Sequence, residues 1–112
     1  MPVNNVLYVE DDGMCLRTLQ RMFQRELCPT VDTAENVHTA IDLVRKTEYG
    51  LIVSDGLEGN CFQLFEAIKG LPHGDFVIFS GDTRHKPQAE ELGIPFYHKP
   101  NDLDKLVSTY KA

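Results

Sequence analysis

Three acidic residues follow a short apolar run near the start of the chain, and this is where the sequence first suggests chemistry. The run from Val6 to Val9 has the length and composition of a strand, and Glu10, Asp11 and Asp12 come directly after it. Carboxylates gathered at the end of a buried strand repel one another unless a cation joins them. The segment therefore predicts a metal site or a phosphoryl-transfer site.

A further acid follows another apolar run in the same way. Leu51 to Ser54 is succeeded at once by Asp55 and Gly56. If the two strands are neighbours, Glu10, Asp11 and Asp55 form a cluster of hard oxygen ligands that is open to water. Such a donor set suits Mg²⁺ with several retained waters better than it suits zinc.

Two more runs end in groups that bind phosphate oxygens. The fourth ends in Ser80 and Gly81, which offer a hydroxyl and room for close approach, and the fifth ends in Lys99 and Pro100, which offer an ammonium. These groups could hold the oxygens of a phosphoryl group attached to Asp55, since metal and ammonium neutralise the charge that builds during transfer.

The elements that must position these residues alternate along the whole chain. Five strand-length apolar runs are separated by amphipathic stretches, at Val6 to Val9, Thr30 to Ala34, Leu51 to Ser54, Phe76 to Phe79 and Phe96 to His98. This alternation predicts an α/β fold, a three-layer sandwich around a doubly wound five-stranded parallel sheet in the order 2-1-3-4-5. The order places a binding crevice at the carboxyl ends of strands one and three.

Helix signals fill the intervals between the runs. Asp12 is better placed to cap the first helix than to bind a metal, and Asn36 could begin the second. The apolar stripe of a third helix starts at Phe62 and ends before Gly70, and a short fourth helix opens at Pro87. A fifth, lined by leucines and a valine, runs to the C-terminus.

Size and composition narrow the function classes. At 112 residues, with 42% hydrophobic and 25% charged residues, we expect one domain over residues 1–112. A net charge of −6 argues against a direct nucleic-acid ligand, so proteins are the expected partners.

No apolar run is long enough for a membrane span and no targeting segment is seen, so the cytoplasm is the expected location. Scattered histidines and three widely spaced cysteines, expected to be reduced thiols, predict no zinc site and no disulfide.

Taken in order, these residues resemble one known family, the receiver domains of two-component response regulators. The acid pair, Asp55, Ser80 and the Lys-Pro dipeptide each end strand one, three, four and five in turn. The resemblance implies that Glu10 and Asp11 are Mg²⁺ ligands and that Asp55 is both a ligand and the phosphoacceptor. It also implies that Lys99 is the catalytic lysine, usually followed by a cis bond to proline. Ser80 becomes the switch hydroxyl and Phe96 the switch aromatic, although the sequence does not distinguish a moving ring from a packed one.

The implied function is a switch rather than a conventional enzyme. A stand-alone receiver would take a phosphoryl group on Asp55 from a sensor histidine kinase or a histidine phosphotransfer protein and change its affinity for a downstream protein target. The only reactions implied are its own phosphorylation and dephosphorylation. Whether two copies pair as a homodimer stays open.

Two stretches depart from the family. The loop Gly56-Leu57-Glu58-Gly59 is shortened and lacks the usual proline, although the backbone carbonyl of Leu57 should still bind the metal. The segment from Thr83 to Leu92 is also short, so we expect a fourth helix of two turns or less.

Rival functions follow from these departures. The shortened loop motivates a pseudo-receiver, a phosphorylation-independent interaction module on the same fold. A small hydrolase or a flavodoxin-like ligand binder is less well supported, since the chain has no Gly-rich phosphate loop and Asp55-Gly56-Leu57 lacks the second acid expected of aspartate-nucleophile phosphatases.

Overall fold

A five-stranded parallel sheet forms the centre of the computed structural model, which describes residues 3–111. The strands are β1 (Val6–Val9), β2 (Val31–Ala34), β3 (Leu51–Ser54), β4 (Asp75–Ser80) and β5 (Phe96–His98). Their order is β2-β1-β3-β4-β5, so β1 pairs with both β2 and β3, and Val6 lies opposite Val31 and Leu51. The predicted order 2-1-3-4-5 is confirmed.

Helices cover both faces of the sheet. They are α1 (Gly13–Glu26), α2 (Val37–Lys46), α3 (Asn60–Ile68), α4 (Lys86–Glu91) and α5 (Leu103–Tyr110), and short 3-10 turns lie at Leu57–Gly59 and Thr83–His85. One core cluster joins the sheet to α2, α3 and α4, and a second joins it to α1 and α5. The predicted three-layer sandwich is confirmed.

Consecutive apolar residues explain why each central strand has helices on both sides. In β1, Leu7 and Val9 pack in the cluster with α2 and α3, while Val6 and Tyr8 pack in the cluster with α1 and α5. All these side chains are fully buried. A strand that is apolar at every position needs cover on both faces, as parallel sheets have.

Polar residues fix where the first two helices begin. Asp12 Oδ1 accepts the backbone N–H groups of Met14, at 2.9 Å, and of Cys15, at 3.3 Å. Asn36 Oδ1 accepts the N–H of Thr39 at 2.8 Å. Both caps satisfy donors that the first turn of a helix leaves free, which confirms the predicted starts.

Some element boundaries differ from the predicted ones. β2 begins at Val31 rather than Thr30, although the Thr30 carbonyl still accepts the N–H of Val6. β4 is longer than predicted and includes Ser80 as its last residue. α3 begins at Asn60, before Phe62, because Gly59 adopts a left-handed φ of 96° that starts the helix early. α4 has 6 residues, as short as expected.

The predicted domain limits lie partly outside the described residues, since Met1, Pro2 and Ala112 are not among them. The fifth helix ends at Tyr110, short of the predicted C-terminal end, because the backbone of Lys111 is extended. No helix within residues 3–111 has the length and apolar character needed to cross a membrane. Cys15, Cys28 and Cys61 are free thiols.

Candidate functional site

The acidic residues meet at the carboxyl end of β1 and β3. The N–H of Glu10 donates to the Ala34 carbonyl at 2.9 Å, and the N–H of Asp55 donates to the Val9 carbonyl at 2.8 Å, so ladder bonds hold both residues in place. One carboxylate oxygen from each of Glu10, Asp11 and Asp55 lies within 4.8 Å of the others. The three acids that the sequence selected therefore lie close enough to share one cation.

Lys99 reaches this acidic cluster from β5. Its N–H donates to the Ser80 carbonyl at 3.0 Å, which holds the residue beside β4. Its Nζ donates to Glu10 Oε1 at 2.5 Å and to Asp55 Oδ1 at 3.0 Å. The peptide bond between Lys99 and Pro100 is cis, as the resemblance implied.

Burial and neighbouring charges shift the pKa values of the ionisable groups at the site. Glu10 is 2% exposed, and this burial raises the pKa of its carboxyl, partly offset by the hydrogen bond from Lys99. Burial alone would lower the pKa of Lys99, but the facing carboxylates of Glu10 and Asp55 outweigh it and raise the pKa. Lys99 therefore stays charged, and one ammonium faces three acids. The excess negative charge favours a divalent cation of hard character, and the all-oxygen donor set fits Mg²⁺.

Sequence reasoning missed Tyr8, which touches the site from within the core. The Tyr8 hydroxyl donates to Glu10 Oε1 at 2.9 Å, and its ring packs edge-on against Phe23 with centroids 5.3 Å apart. Burial and the neighbouring Glu10 raise the pKa of the phenol, so it keeps its proton. The strand period of two could have revealed this contact, because Tyr8 and Glu10 are two residues apart and share one face.

Ser80 lies beside the backbone that follows Asp55. A Cβ atom placed on Gly56 would lie 2.8 Å from Ser80 Oγ, so the two segments are in close contact and glycine leaves room for the hydroxyl. Ser80 Oγ accepts the N–H of Asp82 at 3.0 Å, which leaves its own O–H free to donate. The hydroxyl is buried next to the residue that follows Asp55.

The shortened loop has an unusual backbone. Leu57 and Glu58 have φ of 50° and 55°, and Gly59 has φ of 96°, so three consecutive residues are left-handed. Such conformations are strained for residues with side chains and persist only when packing enforces them. The Leu57 side chain, 6% exposed, belongs to the core cluster that joins the sheet to α2, α3 and α4, and its N–H donates to Asp55 Oδ2 at 3.2 Å.

The predicted metal-binding carbonyl of Leu57 already has one partner. It accepts the N–H of Asn60 within the 3-10 turn. A carbonyl oxygen has two lone pairs, so this bond leaves capacity for a metal. The role of this carbonyl stays a prediction.

His85 is a second residue that the sequence did not single out. Its ring packs edge-on against Phe62, with centroids 5.9 Å apart, and lies 2.9 Å from the Cβ position of Gly56. Its Nε2 is 3.5 Å from Asp82 Oδ2 and makes no hydrogen bond within residues 3–111. Only the tertiary contact between the two loops identifies it, because nothing in its local sequence sets it apart from the other histidines.

Phe96 and Asp82 contact other parts of the molecule. Phe96 is half-buried against the core cluster that includes α4. Asp82 is held by the Arg84 guanidinium, whose hydrogen bonds lower the pKa of the Asp82 carboxyl. Whether Phe96 moves between two positions stays a prediction.

Comparison with solved structures identifies the architecture. The chain superimposes on a response regulator receiver protein from Dyadobacter fermentans with a TM-score of 0.80 and 22% identity, covering 94% of this chain and 93% of that one. The response regulator TrrA from Thermotoga maritima, solved in complex with Mg²⁺ and BeF, gives a TM-score of 0.75 at 19% identity and covers 95% of each chain. A sensor histidine kinase receiver domain from Pseudomonas aeruginosa, with a magnesium ion in its active-site cleft, gives 0.78 at 14% and covers 96% of each.

The sequence by itself matches no protein-family model, and no curated protein matches it significantly. The similarity to known proteins therefore lies in the three-dimensional structure. The chain has the fold of response-regulator receiver domains, as its ordered set of strand-end residues suggested.

Proposed function

We propose that this protein is a Mg²⁺-dependent receiver that accepts a phosphoryl group on Asp55 and acts as a phosphorylation-controlled protein-interaction switch. One observation carries the proposal: Glu10, Asp11 and Asp55 converge on one point, and the ammonium of Lys99 contacts two of them. The receiver fold of the neighbours and the magnesium in two of them add support.

The donor would be a phosphohistidine on a sensor histidine kinase or a histidine phosphotransfer protein. An Asp55 carboxylate oxygen forms the new bond to phosphorus, the P–N bond to the imidazole breaks, and the imidazole nitrogen keeps the electron pair. Lys99 and the free O–H of Ser80 are the donors available to the phosphoryl oxygens. Bound at Glu10, Asp11, Asp55 and the Leu57 carbonyl, Mg²⁺ would neutralise charge on the transferring group.

The switch would begin at Ser80. Its hydroxyl already lies against Gly56, and a phosphoryl group on Asp55 would give its free O–H an acceptor. A shift of Ser80 moves the loop that carries Asp82 and the 3-10 turn after it, and Phe96 on β5 would follow. The phosphorylated and unphosphorylated states then differ in affinity for a downstream protein target.

Intact mass after incubation with acetyl phosphate and Mg²⁺ tests the chemistry. We expect a gain of one phosphoryl group that is lost in Asp55→Asn and when EDTA removes the metal. Asp42→Asn, which removes a partly exposed acid on α2, is the matched control and should be phosphorylated like the wild type.

Failure to gain mass with acetyl phosphate, and with a panel of phosphorylated histidine phosphotransfer proteins, would reject the proposal in favour of the phosphorylation-independent module. The stand-alone status, the cytoplasmic location and the pairing of two copies remain predictions from the sequence.

A further inference from the structure

The two oxygens of the Glu10 carboxylate have unequal surroundings. Oε1 accepts from the Tyr8 hydroxyl at 2.9 Å and from Lys99 Nζ at 2.5 Å. Oε2 accepts only the N–H of Asp12, at 3.4 Å, among residues 3–111. Oε1 is therefore occupied by protein donors, and Oε2 is the oxygen left for a cation.

This asymmetry matters because cations differ in how they use carboxylates. Ca²⁺ takes six to eight oxygens and commonly binds both oxygens of one carboxylate, whereas Mg²⁺ demands six ligands in near-ideal octahedral geometry and keeps several waters. A carboxylate that can offer only one oxygen suits Mg²⁺. A carboxylate that can rotate to offer both oxygens suits Ca²⁺.

We infer that Tyr8 is a positioning residue that makes the site select Mg²⁺ over Ca²⁺, because its hydroxyl holds Glu10 Oε1 and restricts this carboxylate to single-oxygen binding. This inference rests on the proposed function, since it assumes that Glu10 faces the metal. Tyr8 itself does not touch the cation. It acts from the core, where its fully buried ring is fixed by Phe23.

The chain offers matched controls for this role. The hydroxyl of Tyr49 donates to Asp32 Oδ2 at 2.6 Å, and the hydroxyl of Tyr110 donates to Asp75 Oδ2 at 2.8 Å. Both bonds join a phenol to a carboxylate, as in the Tyr8 pair, but they lie at the amino end of the sheet. Removing either hydroxyl costs a similar bond without touching the acidic cluster.

The test is a titration of the folded protein with MgCl₂ and, separately, CaCl₂, followed by the amide NMR shifts of Asp55 and Leu57. In Tyr8→Phe we expect the ratio of the Ca²⁺ Kd to the Mg²⁺ Kd to fall by at least about threefold relative to the wild type. Tyr49→Phe and Tyr110→Phe should leave the ratio unchanged. Tyr8→Leu, which also lacks the hydroxyl, is the second variant and should shift the ratio in the same direction.

The outcomes separate the inference from the proposed function. A ratio that is unchanged in Tyr8→Phe, or that falls equally in the control variants, overturns the role of Tyr8 while the metal site stands. A wild-type protein that binds neither cation overturns both the metal site and the inference.

Discussion

The two ends of the sheet hold their acidic groups in opposite ways. At the carboxyl end, Glu10, Asp11 and Asp55 face one ammonium, from Lys99. At the amino end, Asp32 and Asp75 each accept a hydrogen bond from a tyrosine hydroxyl. The first end gathers like charges around a shared point, and the second keeps its acids apart and gives each its own donor.

The amino end is also closed by backbone contacts. The N–H of Gly74 donates to the Tyr49 carbonyl at 2.7 Å, and the N–H of Gly50 donates to Asn5 Oδ1 at 2.9 Å. Gly74 and Gly50 approach so closely that a Cβ on Gly74 would lie 2.1 Å from the Gly50 carbonyl oxygen. Close backbone packing therefore stabilises the amino end of the sheet.

The carboxyl end of the sheet carries features that destabilise the folded state. Like charges held together at the carboxyl end disfavour the folded state until a cation binds between them. The only left-handed residues other than glycine in the described part of the chain, Leu57 and Glu58, lie at that same end. Left-handed residues and clustered acids coincide at the proposed site, whereas within residues 3–111 the amino end has no left-handed residue other than glycine and keeps its acids apart.

The largest change in stability should come from disrupting the backbone contact at the amino end of the sheet. Gly74→Ala would force the backbones of residues 74 and 50 apart, and we expect it to lower the free energy of unfolding by about 3 kcal/mol. Gly70→Ala, where a Cβ has no atom within 4 Å, is the control and should change it by less than about 1 kcal/mol. Urea denaturation gives both values, and equal losses in the two variants would contradict the tight contact.

A smaller effect should come from removing the cation at the charged end. Lys99→Met leaves Glu10 and Asp55 without their shared ammonium, and we expect a loss of about 2 kcal/mol at pH 7.5 without metal. Lys69→Met, which removes an exposed lysine, should cost less than about 0.5 kcal/mol.

Lowering the pH should reduce the difference in free energy of unfolding between the wild type and Lys99→Met. Burial raises the pKa of Glu10 and the hydrogen bond from Lys99 opposes this rise, so Lys99→Met should raise the pKa further. The folded variant then holds that proton more tightly than the unfolded chain, and it gains more stability than the wild type as pH falls through the raised folded pKa towards the ordinary value of 4.5. Urea denaturation of wild type and variant at pH 7.5 and pH 5.0 measures the difference. A gap that widens on acidification would contradict the assigned charges.

The smallest effect should come from relieving the strained loop. Glu58 is exposed and left-handed, so Glu58→Gly should raise the free energy of unfolding by about 0.5 kcal/mol. Glu90→Gly, in the exposed face of α4, should instead lower it by about 0.5 to 1 kcal/mol. Thermal denaturation compares the two, and a destabilised Glu58→Gly would mean that its side chain supports the loop.

Local patterns were enough to predict most of the fold. The bounds of β1, β3 and β5 follow from apolar runs, and the starts of α1 and α2 follow from Asp12 and Asn36, because strand burial and helix capping are properties of a few adjacent residues. The early start of α3 was not predicted, since it depends on a left-handed Gly59. The close approach of Ser80 to Gly56 was not predicted either, because it depends on how two loops meet.

The order of residues along the chain determined the sheet, its layers and the set of strand-end groups, because parallel strands deliver their carboxyl ends to one edge. Tertiary structure alone decided that Lys99 contacts both Glu10 and Asp55, that the Tyr8 hydroxyl occupies Glu10 Oε1, and that His85 packs against Gly56. These contacts join residues through space over distances that depend on how each helix and loop packs. No periodicity in the sequence encodes such distances.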